Sequence, residues 1–278
     1  MAITTKNSRL RVNFMGLLVI LTMLNKADKN NRRGTGMPSK NEIKNINALR
    51  AKKGRLRDGL FVAEGEKLVA HLLAVLGKPR YLFCLPDAPF EGAEVISLAD
   101  MARLSNLAHP SPVFAVFAQP QFTEAAFSTA FTLVLDGIRD PGNLGTMLRL
   151  CDWFGVAQIV CTDDCVDAFN EKVVQASMGS VATVQVVSLS RDALIAQATQ
   201  ANVTLIGTAM DAPTVYAAQL PAKAALVIGN EGQGISAELA KACTLWVSIP
   251  AAPTAKAESL NAAMSAAILL AEFSRKAT

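Results

Sequence analysis

The chain of 278 residues is 51% hydrophobic, which argues against global disorder and suits one large or two small domains. Its five cysteines (Cys84, Cys151, Cys161, Cys165, Cys243) are odd in number and lack C-x-x-C spacing, and its two histidines, His71 and His109, sit in no activating pattern. Small buried thiols explain the cysteines better than a disulfide framework or zinc, and a His-based triad is poorly supported. The net charge of +4 conceals a split: residues 1–36 carry +6, residues 37–60 carry +5 and residues 61–278 carry −7. A basic front end on an acidic body suits a polyanion such as RNA.

Residues 1–36 place Lys6, Arg9 and Arg11 before an apolar run, Phe14 to Leu24. This has the look of a signal peptide, but no small-x-small cleavage site follows and the run is short for a bilayer span. The expectation is a non-native or optional leader, with Met37 as a candidate start and no membrane association.

From Ser39 a helix is expected, with Ile43, Ile46 and Leu49 on one face and basic residues between them. After the basic run Arg50 to Arg57, Leu60 to Ala63 reads as a strand, Lys67 to Leu76 as a helix and Arg80 to Leu85 as a strand. Glu94 to Ser97 (strand), Leu98 to Leu107 (helix) and Val113 to Ala118 (strand) complete a small α/β domain over residues 37–119. Residues 120–130 read as a linker.

The second domain, residues 131–278, opens with the strand Leu133 to Leu135 ending at Asp136. A loop leads to a helix from Leu144 to Phe154. Strands follow at Gln158 to Cys161, Val184 to Val187, Val203 to Gly207, Ala224 to Ile228 and Trp246 to Ile249. Helices are expected at Glu171 to Met178, Arg191 to Ala201, Ala237 to Ala242 (with Ser236 as its N-cap) and Ser259 to Arg275. This alternation implies a mostly parallel sheet covered on both faces.

Three strand ends concentrate polar residues, where open α/β sheets bind ligands. The first is Asp136 to Arg149, in which Asn143 could cap the helix and Arg149, on an otherwise apolar helix, invites a phosphate partner. The second is Gly229-Asn-Glu231-Gly232-Gln-Gly234. A carboxylate in a glycine loop is a poor phosphate cradle, so its ligand is expected to be cationic or rich in hydroxyls. The third runs from Ile249-Pro250 to Ser259-Leu260-Asn261, where Ser259 could be an N-cap and Asn261 could turn its amide to a ligand. Neither G-x-G-x-x-G after a strand nor G-x-x-x-x-G-K-[ST] occurs, so nothing looks built for a dinucleotide or ATP.

The ordered set Asp-x-x-x-Asp-Pro-x-Asn-x-Gly-x-x-x-Arg (Asp136 to Arg149), Gly-Asn-Glu-Gly-x-Gly (Gly229 to Gly234) and Ile-Pro with Ser-Leu-Asn (Ile249 to Asn261) resembles the SpoU/TrmH family. These are S-adenosylmethionine-dependent RNA ribose 2′-O-methyltransferases of the SPOUT superfamily. The front domain is more loosely similar to the family's L30e-like substrate-binding domain.

The resemblance implies an α/β SPOUT-type parallel sheet with a C-terminal trefoil knot, a homodimer and a cytoplasmic location. It implies S-adenosyl-L-methionine as methyl donor, held around Gly229, Glu231, Gly232, Ile249 and Leu260, with no metal. It implies an active site of Asn143, Arg149, Glu231, Ser259 and Asn261. Proposals for relatives make the arginine a general base. A pKa above about 12 makes it a reluctant one, so phosphate positioning is expected, with Glu231 or Asn143 orienting or accepting the proton. The loop from Pro250 to Ser259 is longer than is usual in the family and adds Lys256 and Glu258. Ribosomal RNA is the expected substrate. The alternatives are transfer RNA, a base-methylating relative, and an RNA-binding relative that transfers nothing.

Overall fold

The computed structural model describes residues 37–277; the expected leader over residues 1–36 lies outside them. The described residues form two sheets. The first has the order β1 (Leu60–Glu64), β4 (Val113–Ala118), β2 (Tyr81–Cys84), β3 (Glu94–Val95). It carries the helices α1 (Lys40–Ala48), α2 (Lys52–Asp58), α3 (Glu66–Leu76) and α4 (Leu98–Leu104).

Ser39 and Glu42 close a capping box at the start of α1, as its S-x-x-E spacing dictates. The basic run after it is itself a helix, α2, ended by Gly59 in the left-handed region. β4 pairs antiparallel with β1 and β2, and only β2 and β3 run parallel. The mostly parallel pairing expected of the second domain does not extend to the front sheet. Alternation along β1 and β4 divides this sheet: Phe61, Ala63, Ala115 and Phe117 enter one core, while Val62, Phe114 and Val116 enter another beneath α1 and α4.

The second sheet has the order β10 (Leu245–Val247), β8 (Thr204–Thr208), β9 (Ala224–Ile228), β5 (Phe131–Leu135), β6 (Gln158–Thr162), β7 (Gln185–Leu189). Every pairing in it is parallel. The helices are α5 (Pro141–Phe154), α6 (Glu171–Ser177), α7 (Arg191–Gln200), α8 (Ala237–Ala242) and α9 (Ala262–Ala277). Leu133, Leu135, Leu226 and Ile228 face a core shared with α5, α6 and α9; Val134 and Val227 face the core that holds Leu194 of α7 and Leu239 of α8. A sheet buried on both faces explains why these strands read as unbroken apolar runs.

One core spans both sheets, with Phe61, Leu68 and Phe117 in the same cluster as Leu133 and Leu148. The bridge is α6, which packs on α5 and on β1. Just before it, Phe169 meets Phe61 with ring centroids 5.2 Å apart. Arg55, 3% exposed, donates from Nε to Asp167 at 2.7 Å and from Nη1 to the carbonyls of Leu49 and Arg50 at 2.7 and 2.9 Å. This arginine of the basic run is thus committed inside the protein rather than offered to a polyanion. The expected linker is anchored too: Phe127 is buried, and its N–H donates to Gln158 Oε1 at 2.6 Å.

Candidate active site

The C-terminal ends of β8, β9 and β10 open onto a cavity of about 450 Å³. Its wall is mostly apolar and comes from three stretches, Thr208 to Met210, Ile228 to Ile235 and Val247 to Ala262, with Ser265 and Leu269 of α9 behind them. Of the expected cofactor residues, Gly229, Glu231, Ile249 and Leu260 line it, as does Ser259 of the expected catalytic set; Gly232 stands outside the lining.

Two glycines shape the loop after β9. A Cβ on Gly229 would lie 2.2 Å from the Gly234 carbonyl carbon and 2.4 Å from the Ile235 nitrogen, so only glycine permits this closure. Gly234 has φ +70°, and its N–H and carbonyl pair with Asn230 at 2.8 and 3.0 Å. The glycines let the loop close on itself. Asn230 Oδ1 accepts from the N–H groups of Gly232 and Gln233 at 2.9 and 3.2 Å, and its Nδ2 donates to the Gly137 carbonyl at 2.9 Å.

That loop presents Glu231 to Asn143, whose Nδ2 donates to the carboxylate. Asn143 Oδ1 in turn accepts from Asn261 Nδ2 at 3.0 Å. Three of the expected catalytic residues, separated by 88 and 118 positions, thus form one hydrogen-bonded chain.

Asn143 does not cap α5. That helix begins at Pro141, and Asp140 is its N-cap, accepting from the Asn143 N–H at 2.8 Å. The proline sits at the first turn, where its missing N–H costs nothing. The capping duty moves off Asn143, and its amide is left for Glu231 and Asn261. At α9 the correction runs the other way. The helix starts at Ala262 rather than Ser259, and Asn261 Oδ1 accepts from the N–H groups of Ala263 and Met264 at 2.9 and 3.2 Å. Asn261 therefore caps α9 with its oxygen and orients Asn143 with its nitrogen.

Arg149 lies on α5, six residues past Asn143, or about 9 Å along the axis. It is exposed and makes no hydrogen bond or ion pair among the described residues. The structure leaves its guanidinium to solvent or to a ligand, outside the cavity wall.

A second polar group lies behind the loop. Asp136, 1% exposed at the end of β5, accepts from Arg191 Nε and Nη2 at 2.9 and 2.7 Å and from the Ser236 N–H at 2.6 Å. Arg191 Nη2 also donates to both oxygens of Asp164 at 3.1 and 3.0 Å. Burial pushes the Asp164 carboxyl up, but hydrogen bonds from Thr162 and Arg191 outweigh it and leave the group below its usual range. Ser236 occupies the N-cap position of α8 without making the expected cap bond; its hydroxyl accepts from Arg191 Nε at 3.1 Å instead. The five cysteines are buried free thiols. Cys165 is drawn down to about 7 by the hydrogen bond from Cys161, and its sulfur accepts the Ile138 N–H at 3.2 Å.

Sequence reasoning passed over Arg191 and gave Asp136 no role. An aspartate ending a buried strand was a usable signal, because a buried carboxylate requires a donor. Nothing in the sequence marked Arg191 as that donor.

A parallel α/β sheet with a cavity at its strand ends, closed by a glycine loop and a carboxylate–amide chain, defines the class of ligand-binding α/β proteins to which the motifs pointed. The sequence pattern of the SpoU rRNA Methylase family matches residues 130–271, and that of the MRM3-like substrate binding domain matches residues 40–115. The chain belongs to the SpoU rRNA Methylase family. It is 31% identical over 238 residues to the 23S rRNA (guanosine(2553)-2′-O)-methyltransferase RlmP of Bacillus subtilis, spanning 82% of this chain and 94% of that one. A solved structure from Porphyromonas gingivalis, assigned to the TrmH family, superposes with a TM-score of 0.76 at 38% identity, covering 87% of this chain and all of that one. The AdoMet-bound rRNA methyltransferase of Sinorhizobium meliloti superposes at 0.73 with 28% identity, covering 88% and 97%.

Proposed function

We propose that the chain transfers a methyl group from S-adenosylmethionine to a ribose 2′-hydroxyl of ribosomal RNA. The observation that carries this reading is the Glu231–Asn143–Asn261 chain beside the cavity. The cavity fits the donor: its volume suits a small cofactor, its wall is mostly apolar, and its one acidic lining residue, Glu231, suits a sulfonium cation. Gly229, Ile249 and Leu260 would hold the donor there, with Gly232 supporting the loop from outside. Bound there, S-adenosylmethionine supplies a methyl group that is already activated. The protein's work is alignment and removal of the hydroxyl proton.

Roles follow from the hydrogen bonds. Asn143 gives through Nδ2 and accepts through Oδ1, so it orients Glu231, and a neutral amide is too weak a base to take the proton. Glu231 accepts the ribose proton through its other oxygen. Arg149 binds the phosphate beside the target nucleotide; its planar fork suits two phosphate oxygens. Ser259, on the cavity wall, contacts the ribose or the donor. The front domain, residues 37–119, binds the RNA and is read as L30e-like, with Lys40, Lys44, Lys52, Lys53 and Arg57 exposed on its helices.

The C-terminal segment is read as a trefoil knot; convergence of three successive strand ends on one cavity, with α9 folded back on α5, supports this. The protein is read as a cytoplasmic homodimer. In support of the dimer, Trp153 of α5 is 84% exposed and Met264 of α9 is exposed on the helix packed beside it. Among the described residues no helix is long and apolar enough to cross a membrane.

Ribose-methylation mapping of total RNA from a deletion strain tests the substrate. Loss of one ribosomal RNA methyl is expected. Loss confined to transfer RNA would overturn the choice of substrate, and an unchanged map would favour a non-catalytic RNA-binding protein.

A further inference from the structure

Arg191 lies in none of the three motifs. It occupies the first position of α7, after the N-cap Ser190. A cation at a helix N-terminus faces the positive end of the dipole, so its placement does not serve the helix. It does serve the loops of the site. Its guanidinium meets Asp136 at the end of β5, Asp164 just after β6 and Ser236 just after the glycine loop.

The two ends of the glycine loop are fixed from this one region. Asn230, at the start, holds the Gly137 carbonyl next to Asp136. Ser236, at the end, gives its N–H to Asp136 and receives Arg191 on its hydroxyl. Between these anchors stands Glu231. The segment Asp136 to Asp140 then leads directly into α5 and Asn143. A single guanidinium therefore sets the loop bearing Glu231 and the loop delivering Asn143 against each other.

The diversion of Ser236 supports the same conclusion independently. A serine at an N-cap position ordinarily accepts from its own helix. Here the hydroxyl is turned away to Arg191, and α8 has no side-chain cap.

We infer that Arg191 is a positioning residue for methyl transfer, which clamps Asp136, Asp164 and Ser236 so that Glu231 meets Asn143 beside the donor cavity. The inference rests on the methyltransferase reading above. Arg191 touches neither reactant. Its loss displaces Glu231 and the cavity wall together, and a misplacement of about 1 Å costs on the order of 100-fold in rate. Lysine keeps the charge but is a point donor without the planar fork, so it cannot reproduce the three-way contact.

The test uses the full-length protein with Arg191→Lys, Arg191→Met and Asp164→Asn. Asp164 is partly exposed, so its replacement spares the buried Asp136–Arg191 pair and does not threaten folding. Calorimetry with S-adenosylmethionine, steady-state kinetics on ribosomal RNA and thermal unfolding are measured together. The expected pattern for Arg191→Lys is a folded protein with kcat lowered on the order of 100-fold. Its donor affinity falls as well, and its KM for RNA is unchanged. Asp164→Asn shows the same split in weaker form. A purely structural role would leave kcat of the folded fraction at the wild-type value. Wild-type kcat and donor affinity in the folded variants, or a change confined to KM for RNA, would overturn the role of Arg191. A wild-type chain that binds no S-adenosylmethionine would overturn the reading beneath it.

Discussion

Gly145→Ala is a sharp test of how the fold holds the site. Gly145 lies inside α5, between Asn143 and Arg149, against α6. Replacing a helix-interior glycine by alanine stabilises an isolated helix by about 1 kcal/mol. Here the added Cβ would stand 2.5 Å from the Ala176 Cβ, 2.8 Å from the Val173 carbonyl oxygen and 2.9 Å from the Ser177 nitrogen. Two of these atoms are backbone, so no side-chain rotation relieves the contact, and the two helices must separate. Overpacking of this kind costs about 1–3 kcal/mol. With three contacts under 3.0 Å the upper end applies, and the clash outweighs the helix gain. The net expectation is destabilisation by about 2 kcal/mol, taking overpacking near 3 and helix gain near 1. Urea titration measures the stability. Initial rates of methyl transfer should fall as well, because displacement of α5 carries Asn143 away from Glu231. A variant as stable as wild type or more so, with normal rates, would refute this account of the α5–α6 contact.

Other perturbations probe separate links. Arg149→Lys, which loses the planar fork, should raise KM for RNA about tenfold, roughly 1.4 kcal/mol, and leave donor affinity unchanged; near-normal kinetics would contradict a bidentate phosphate role. Arg55→Met strands a largely buried Asp167 and should cost about 3 kcal/mol in urea titration. The double replacement Arg55→Met with Asp167→Leu should recover only the part owed to the stranded carboxylate, because the Leu49 and Arg50 carbonyls still lack their donor. Trp153→Glu should convert the proposed homodimer to monomers in size-exclusion chromatography with light scattering, and an unchanged mass would place the interface elsewhere.

The strand positions were legible because both sheets are buried on two faces and their strands are short apolar runs between turn residues. Ala224–Ile228 and Val113–Ala118 stand where the pattern put them. Strand direction was not legible in the front sheet, where β4 returns antiparallel between β1 and β2. Periodicity reports burial and not direction. Helix starts were misread where two capping residues competed. Asp140 precedes Asn143 and Ser259 precedes Asn261, and only the backbone shows which member caps. The motif residues of the site were visible as polar groups at strand ends, and the structure joins Asn143, Glu231 and Asn261 in one hydrogen-bonded chain. Arg191 was hidden because its partners, Asp136, Asp164 and Ser236, are dispersed along the chain and meet only after the sheet forms.

The central claim is methyl transfer to a ribose hydroxyl at the cavity beside Glu231. The most direct measurement incubates the purified chain with methyl-labelled S-adenosylmethionine and unmodified ribosomal RNA, digests the product to nucleosides and identifies the labelled one. The account predicts a single 2′-O-methylated nucleoside with wild-type protein and little or none with Glu231→Gln. Label on a base, or equal labelling by the Glu231→Gln variant, would contradict it.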